Sequence, residues 1–245
     1  MMINDSDIHA FMSVLKGLDK GKGLDLILHT LGGGIDATEK IVQYLRDVFG
    51  KDIEIFVPQL AQSAGTMIAC SSKLIHMGKH SSLGAIDPQI GGLPAYSIRK
   101  SFQTAIEDIK KQPQYSDIWP ILFQKYNPTL IVHADKAIQF TNKLVKDWIK
   151  TGMLFESEDS DEDKEKEAEN IVKELGEKMS EDSFHNRHIG IKKCREKGLR
   201  VKELESDNEL QDLVLSIHHA CILTFSNTPA IKIVENHTGI AHILT

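Results

Sequence analysis

The sequence predicts an α/β fold built on parallel strands. Short apolar runs alternate with segments of helical spacing in the first part of the chain, the runs end in glycine-containing corners, and helical patterning takes over beyond Pro94. Residues 24–29 form the first run, which ends at Gly32, Gly33 and Gly34. Ile41, Val42, Leu45, Val48 and Phe49 then recur at helical spacing, and Gly50 closes that helix. Residues 53–57 predict a second strand, stopped by Pro58. The small apolar stretch 64–71 predicts a buried helix and residues 74–77 a third strand. In the helical remainder, Pro113, Pro120 and Pro128 mark boundaries. No internal repeat is visible.

At 245 residues, with 41% hydrophobic and 26% charged residues, the chain has the balance of a soluble globular protein. A single domain over 1–245 buries enough surface to need neither disulfide nor metal. Cys70, Cys194 and Cys221 make an odd set with no C-x-x-C pair, which fits a reducing compartment and small buried hydrophobes. The first residues show no leader pattern, and no apolar run approaches the roughly 20 residues of a spanning helix, so a cytoplasmic protein is expected. The net charge of −6 is local: residues 156–182 hold 13 acidic residues against 4 basic ones. We read them as an acidic surface insertion, a solvated loop over 156–163 feeding a helix that resumes near Lys164. A metal-binding loop there lacks the glycine hinge and alternating ligands. No basic stripe with interleaved aromatics supports nucleic-acid binding.

Two corners stand at the ends of consecutive strands: Gly32-Gly33-Gly34, and Gln62-Ser63-Ala64-Gly65-Thr66. In a parallel sheet both lie outside the carboxyl ends of the strands, where α/β proteins bind ligands. A serine at a helix start, beside a glycine turn that aims backbone N–H groups at one point, offers a nucleophile and an oxyanion hole. Plainer readings exist. Ser63 serves equally as an ordinary N-cap, and the glycines let a helix pack closely on the sheet. Gly32, Gly34 and Ala37 also satisfy G-x-G-x-x-A, the dinucleotide fingerprint. The acidic residue that should close the second strand is missing, since Val57-Pro58-Gln59 stands there and Glu54 lies near the strand's start.

Taken in order, Thr30-Leu31-Gly32-Gly33-Gly34, Ala61-Gln62-Ser63-Ala64-Gly65-Thr66, Gly84-Ala85-Ile86-Asp87-Pro88 and His185-Asn186-Arg187-His188 resemble the serine dehydrogenase proteinase family. That family is a distant relative of the Clp protease and signal peptide peptidase A group. The likeness continues through His218-His219-Ala220 and residues 232–236. It implies a Clp/crotonase-like spiral of ββα units with a helical C-terminal part. It also implies Ser63 as nucleophile, the N–H groups of Gly33 and Ala64 as oxyanion hole, and Asp87 and His185 as the rest of a triad. In those roles His185 takes the Ser63 proton and Asp87 orients the imidazole. Clp proteases carry their histidine in the segment matching Ile86 and Asp87, where this chain has none, so the base comes from elsewhere.

His188 shares the motif with His185 and is an alternative base. Signal peptide peptidase relatives use a Ser-Lys pair, for which Lys79 and Lys100 are the candidates. Solvated lysines, a structural histidine, and an Asp87 that merely starts a turn before Pro88 are the bland alternatives. Leu31 replaces the proline usual before the glycines, which removes a fixed φ from the oxyanion loop. His218, His219, His237 and His242 lack the i, i+4 spacing of a metal pair, so no cofactor is expected. Homo-oligomers are usual in the superfamily, and residues 224–245 would supply an arm that docks on a neighbouring subunit. The expected activity is that of a serine peptidase acting on peptide or protein substrates through an acyl-enzyme at Ser63. Its rivals are a non-catalytic scaffold that binds a partner through the acidic segment or the arm, and a dinucleotide-dependent oxidoreductase.

Overall fold

The computed structural model describes residues 2–124, 127, 129–182 and 188–245. Helix α1 (Asp7–Val14) leads to strand β1 (Leu24–Ile27), helix α2 (Ile35–Phe49), strand β2 (Ile53–Val57), the short strand β3 (Leu60–Ala61) and helix α3 (Ala64–Cys70). Strand β4 (Leu74–Met77) and the short β5 (Ser82–Leu83) follow, then a small hairpin of β6 (Gln89–Ile90) and β7 (Leu93–Pro94). The helical part holds α4 (Ala95–Lys111), α5 (Trp119–Phe123), α6 (Leu130–Thr151), α7 (Asp161–Lys173), α8 (Met179–Asp182) and α9 (Ile191–Glu196). Strand β8 (Val201–Glu203), helix α10 (Asn208–Asn227) and a hairpin of β9 (Lys232–Glu235) and β10 (Ala241–Leu244) complete the chain.

The main sheet runs β1-β2-β4-β8, all parallel. A second layer is built from the short segments that follow each main strand: Thr30 bridges Ala61, β3 pairs with β5, and Leu83 bridges Ile189. This is the spiral of ββα units that the family resemblance implies. The register Leu26, Ile55, Ile75, Val201 places one row on the core face, where Ile55 and Ile75 are wholly buried. Helix α2 lays Ile41, Val42 and Leu45 on that face. Its Arg46 guanidinium reaches the carbonyls of Ser71 at 2.7 Å and Trp148 at 2.8 Å, tying α2 to α3 and α6. Those carbonyls offset part of the cost of burial, which lowers the Arg46 pKa to about 10.

The acidic segment departs from expectation. Helix α7 begins at Asp161, not near Lys164, because Ser160 accepts from the Asp163 amide and three acidic residues fill the first turn, where the helix dipole favours them. Lys150 binds Asp161 and Glu165 from the neighbouring helix α6, while Ala168, Ile171 and Val172 enter the main core. Of the prolines read as boundaries, Pro113 and Pro120 fall in the first turns of helical segments, and Pro128 lies outside the described residues. The β9–β10 hairpin packs on α1 of its own chain, through Lys232 on Asp7 and the Asn236 amide on the Val14 carbonyl. Among the described residues no helix is long and apolar enough to cross a membrane. Cys70 and Cys194 are buried, as expected, and burial pushes the Cys194 thiol up to about 12; Cys221 is half-buried.

Helix α10 covers the other face of the sheet. Val214 and Leu204 pack on Phe56, and the buried His218 ring lies 4.8 Å from His29. Burial, with His29 and His219 nearby, lowers the His218 pKa to about 4 from the ordinary 6.5. Between those values the unfolded chain takes up a proton that the folded chain refuses, so stability falls as pH drops through that window. Melting at pH 7 and pH 5 measures the effect. His218→Leu is expected to flatten the difference by about 2 kcal/mol, whereas an unchanged slope would place the acid sensitivity elsewhere.

Candidate active site

Ser63 is the only residue other than glycine with a positive φ among the described residues, at φ 51° and ψ −112°. An L side chain avoids this region, so the turn between β3 and α3 is strained, as in strand-to-helix turns that present a nucleophile. The Ser63 side chain makes no capping hydrogen bond, and the residue is half-buried. The N-cap role allowed by the sequence is therefore unfilled by its hydroxyl. The turn is held instead by its neighbours. The Gln62 amide donates to the Thr30 carbonyl at 3.0 Å, Gly65 donates to the Gln62 carbonyl at 2.8 Å, and the Thr30 methyl packs where a Gly65 Cβ would stand. Thr66, fully buried, sets its hydroxyl 2.8 Å from the Ala61 carbonyl and 3.0 Å from the Gly84 carbonyl, fastening α3 to both short strands.

The two corners touch. A Cβ on Gly32 would come within 2.9 Å of the Gln62 carbonyl and of the Ser63 Cβ. Gly32 is itself fixed at both ends, since Thr30 Oγ1 accepts from its amide at 3.1 Å and its carbonyl accepts from the Ile3 amide at 2.8 Å. The Ile3 carbonyl in turn accepts from Gly34 at 2.9 Å. These bonds restrain the loop around Leu31. They leave the Gly33 amide between them, and the Ala64 amide at the start of α3, without an acceptor among the described residues. Helix α3 has only seven residues, so its dipole adds little to what the two amides offer an anionic oxygen. The Ile3 backbone also fills the space over Gly33 and engages the Gly34 amide, where the phosphates of a dinucleotide would have to sit.

Asp87 is buried, at 1% exposure. Its carboxylate accepts from Ser180 Oγ at 3.0 Å and from the Tyr96 amide in the first turn of α4 at 3.4 Å. A turn-starting aspartate would keep its carboxylate at the surface; this one faces inward, three residues beyond Gly84, whose backbone packs on Gln62. His185 lies outside the described residues. His188 is described and exposed, with Nδ1 3.3 Å from Ser82 Oγ. It is brought there by the reciprocal bonds of Leu83 and Ile189, at 3.0 and 2.9 Å. Lys79 is exposed after β4, its amide donating to Glu205 at 2.8 Å, and Lys100 is exposed on α4. No group of three metal-ligating side chains occurs among the described residues.

A model of the ClpP-like SDH-type serine proteinases matches residues 1–219. The chain belongs to that family. Two uncharacterized proteins of Methanocaldococcus jannaschii resemble this SDH-type chain, one 29% identical over 202 residues and the other 28% over 179. The matches take in 81% and 73% of the chain but 60% and 51% of the relatives, so the chain spans little more than half their length. Among solved structures, it is similar to two variants of the membrane-bound stomatin-specific protease 1510-N, the second in complex with a substrate peptide. Both are 18% identical, with TM-scores of 0.45 and 0.44, covering 85% and 82% of this chain and 78% and 72% of those.

Several residues that shape this SDH-type site are not candidates on sequence grounds. Ile3, Thr30, Thr66 and Ser82 act through backbone bridges or single hydroxyl contacts. Only Thr66, a polar residue in an otherwise small apolar helix, stands out in the sequence.

Proposed function

We propose that the chain is a serine peptidase that cleaves peptide bonds through an acyl-enzyme at Ser63. The observation that carries this reading is the contact of Gly32 with the strained Ser63 corner, with the Gly33 and Ala64 amides unpaired beside it. In this reading Ser63 Oγ attacks the scissile carbonyl carbon, and its proton passes to a histidine as the bond forms. The Gly33 and Ala64 amides hold the oxyanion, and the histidine then protonates the departing amine. Water completes the cycle by releasing the acyl group.

His185 is the base in this proposal, oriented by Asp87. The bridge of Leu83 to Ile189 supports it by tying the end of the His-Asn-Arg-His stretch to β5, which pairs with the strand leading into the Ser63 corner. The test combines fluorophosphonate labelling with hydrolysis of a fluorogenic peptide by single-alanine variants. Label is expected on Ser63, and His185→Ala is expected to lose about a thousandfold or more in rate. His188→Ala, Lys79→Ala and Lys100→Ala are expected to retain activity within a few-fold. Loss at His188 or at either lysine, with His185→Ala active, would overturn the assignment of the base; label and hydrolysis that persist in Ser63→Ala would overturn the nucleophile.

A further inference from the structure

A cleft of about 440 Å³ opens between α4, α6 and α7, formed by residues other than Ser63, Gly33 and Ala64. Four cations line it, Arg99, Lys143, Lys146 and Lys173, against the two carboxylates Glu169 and Glu177. With Glu165, which pairs with Lys146, the cluster holds four cations against three carboxylates, an excess of one positive charge in a chain whose net charge is −6. The cations fall into two pairs. Arg99 is neutralised by Glu177 at 2.9 Å and Lys146 by Glu165 at 2.6 Å. Lys143 on α6 and Lys173 on α7 line the cleft together with Glu169, and neither lysine makes an ion pair with a described residue.

The floor is ordered and polar. The Asn142 amide donates to the Tyr96 hydroxyl at 2.9 Å, and Arg99 stacks 5.0 Å from the centre of the Tyr96 ring. Gly176 gives the Tyr96 hydroxyl room, since a Cβ there would come within 2.7 Å of it. Gly176 and Glu177 sit in a π-helical turn, residues Glu174–Lys178, a local widening that often marks functional sites. Two lysines without an ion pair and an amide–phenol floor suit a ligand that carries several anionic oxygens and is small enough to enter.

We infer that this cleft binds a small multivalent anion, bearing phosphate or carboxylate groups, through Lys143 and Lys173. The site reaches toward the proposed active site, because Tyr96 also donates its backbone amide to Asp87. Binding itself does not depend on the peptidase reading, and its failure would leave that reading intact.

The experiment is calorimetric titration of the intact protein at low salt with inorganic pyrophosphate and, separately, citrate. Saturable binding of one of them with a dissociation constant of about 1 mM or tighter is expected. Tighter pyrophosphate binding would assign phosphate chemistry, and tighter citrate binding carboxylate chemistry. K143Q/K173Q is expected to weaken the binding about tenfold or more while melting as the parent does, since both side chains are exposed. K192Q/K193Q, which removes the same charge on α9, is the control and should bind as the parent does. Absence of saturation by both anions up to about 10 mM, or equal weakening in the two double variants, would overturn the inference.

Discussion

Ser63→Gly is expected to yield a protein more stable than the parent and unable to hydrolyse peptides. At φ 51° and ψ −112° the Ser63 Cβ is held in a region that only glycine enters freely. Relief of that strain is worth about 1–3 kcal/mol, and the extra freedom glycine brings to the unfolded chain removes about 0.5–1 of it. Loss of the hydroxyl adds no capping penalty, because the side chain caps nothing. The net gain should be about 1 kcal/mol, a rise of about 2–4 °C in melting temperature for a chain of this size. Hydrolysis should fall by about a thousandfold or more, since the nucleophile is gone. Ser63→Ala separates the two effects: it removes the same hydroxyl but keeps a Cβ at positive φ, so it should be equally inert and no more stable than the parent. Thermal melts and a fluorogenic peptide assay on both variants decide the matter. A Ser63→Gly protein that melts at or below the parent temperature would mean that the corner stores no strain.

The elements that support this corner differ in how far they can be read from the sequence. β2 and β4 were legible because each buries most of its residues and reads as a mainly apolar run, and β1 because Leu24, Leu26 and Ile27 flank the single exposed Asp25. α2 was legible because its apolar stripe recurs at helical spacing and Gly50, at φ 65°, ends it. β3 and β5 have two residues each, too short for any period, and their existence follows from pairing with each other. β8 joins the sheet with three residues after a helical stretch, and only its parallel pairing with β4 identifies it. The juxtaposition of the glycine and serine corners was foreseeable from the rule that parallel strands end on one edge. The clamp of Ile3 on Gly32 and Gly34 was not, because a bridge across some thirty residues leaves no local pattern. The same holds for Thr30, whose hydroxyl accepts from the Gly32 amide by a contact that leaves no periodic pattern. The acidic segment misled for a different reason. Its charge pattern describes a solvated surface, but the first turn of a helix tolerates carboxylates, and on α6 Lys150 pairs with Asp161 of that turn while Lys146 and Lys150 both pair with Glu165 beyond it.

Gly32→Ala probes the contact itself and is expected to damage both fold and chemistry. Two penalties combine there. The φ of 110° disfavours any Cβ, and that Cβ would meet the Gln62 carbonyl and the Ser63 Cβ at 2.9 Å, atoms belonging to a turn that is already hydrogen-bonded on both sides. The loop must therefore move away from Ser63 and carry the Gly33 amide with it. A cost of about 2–4 kcal/mol in stability is expected, together with a loss of about a hundredfold or more in hydrolysis. Gly50→Ala supplies the comparison, because Gly50 also has a positive φ, at 65°, but a Cβ there meets nothing within 4 Å. It should lose about 1 kcal/mol and keep its activity. If the two alanine variants lost stability equally and both remained active, the Gly32 loop would be separable from the serine corner, and the Gly33 amide would have no part in the reaction. A Gly32→Ala protein that folds as well as Gly50→Ala yet fails to hydrolyse would instead locate the whole effect in the position of that amide.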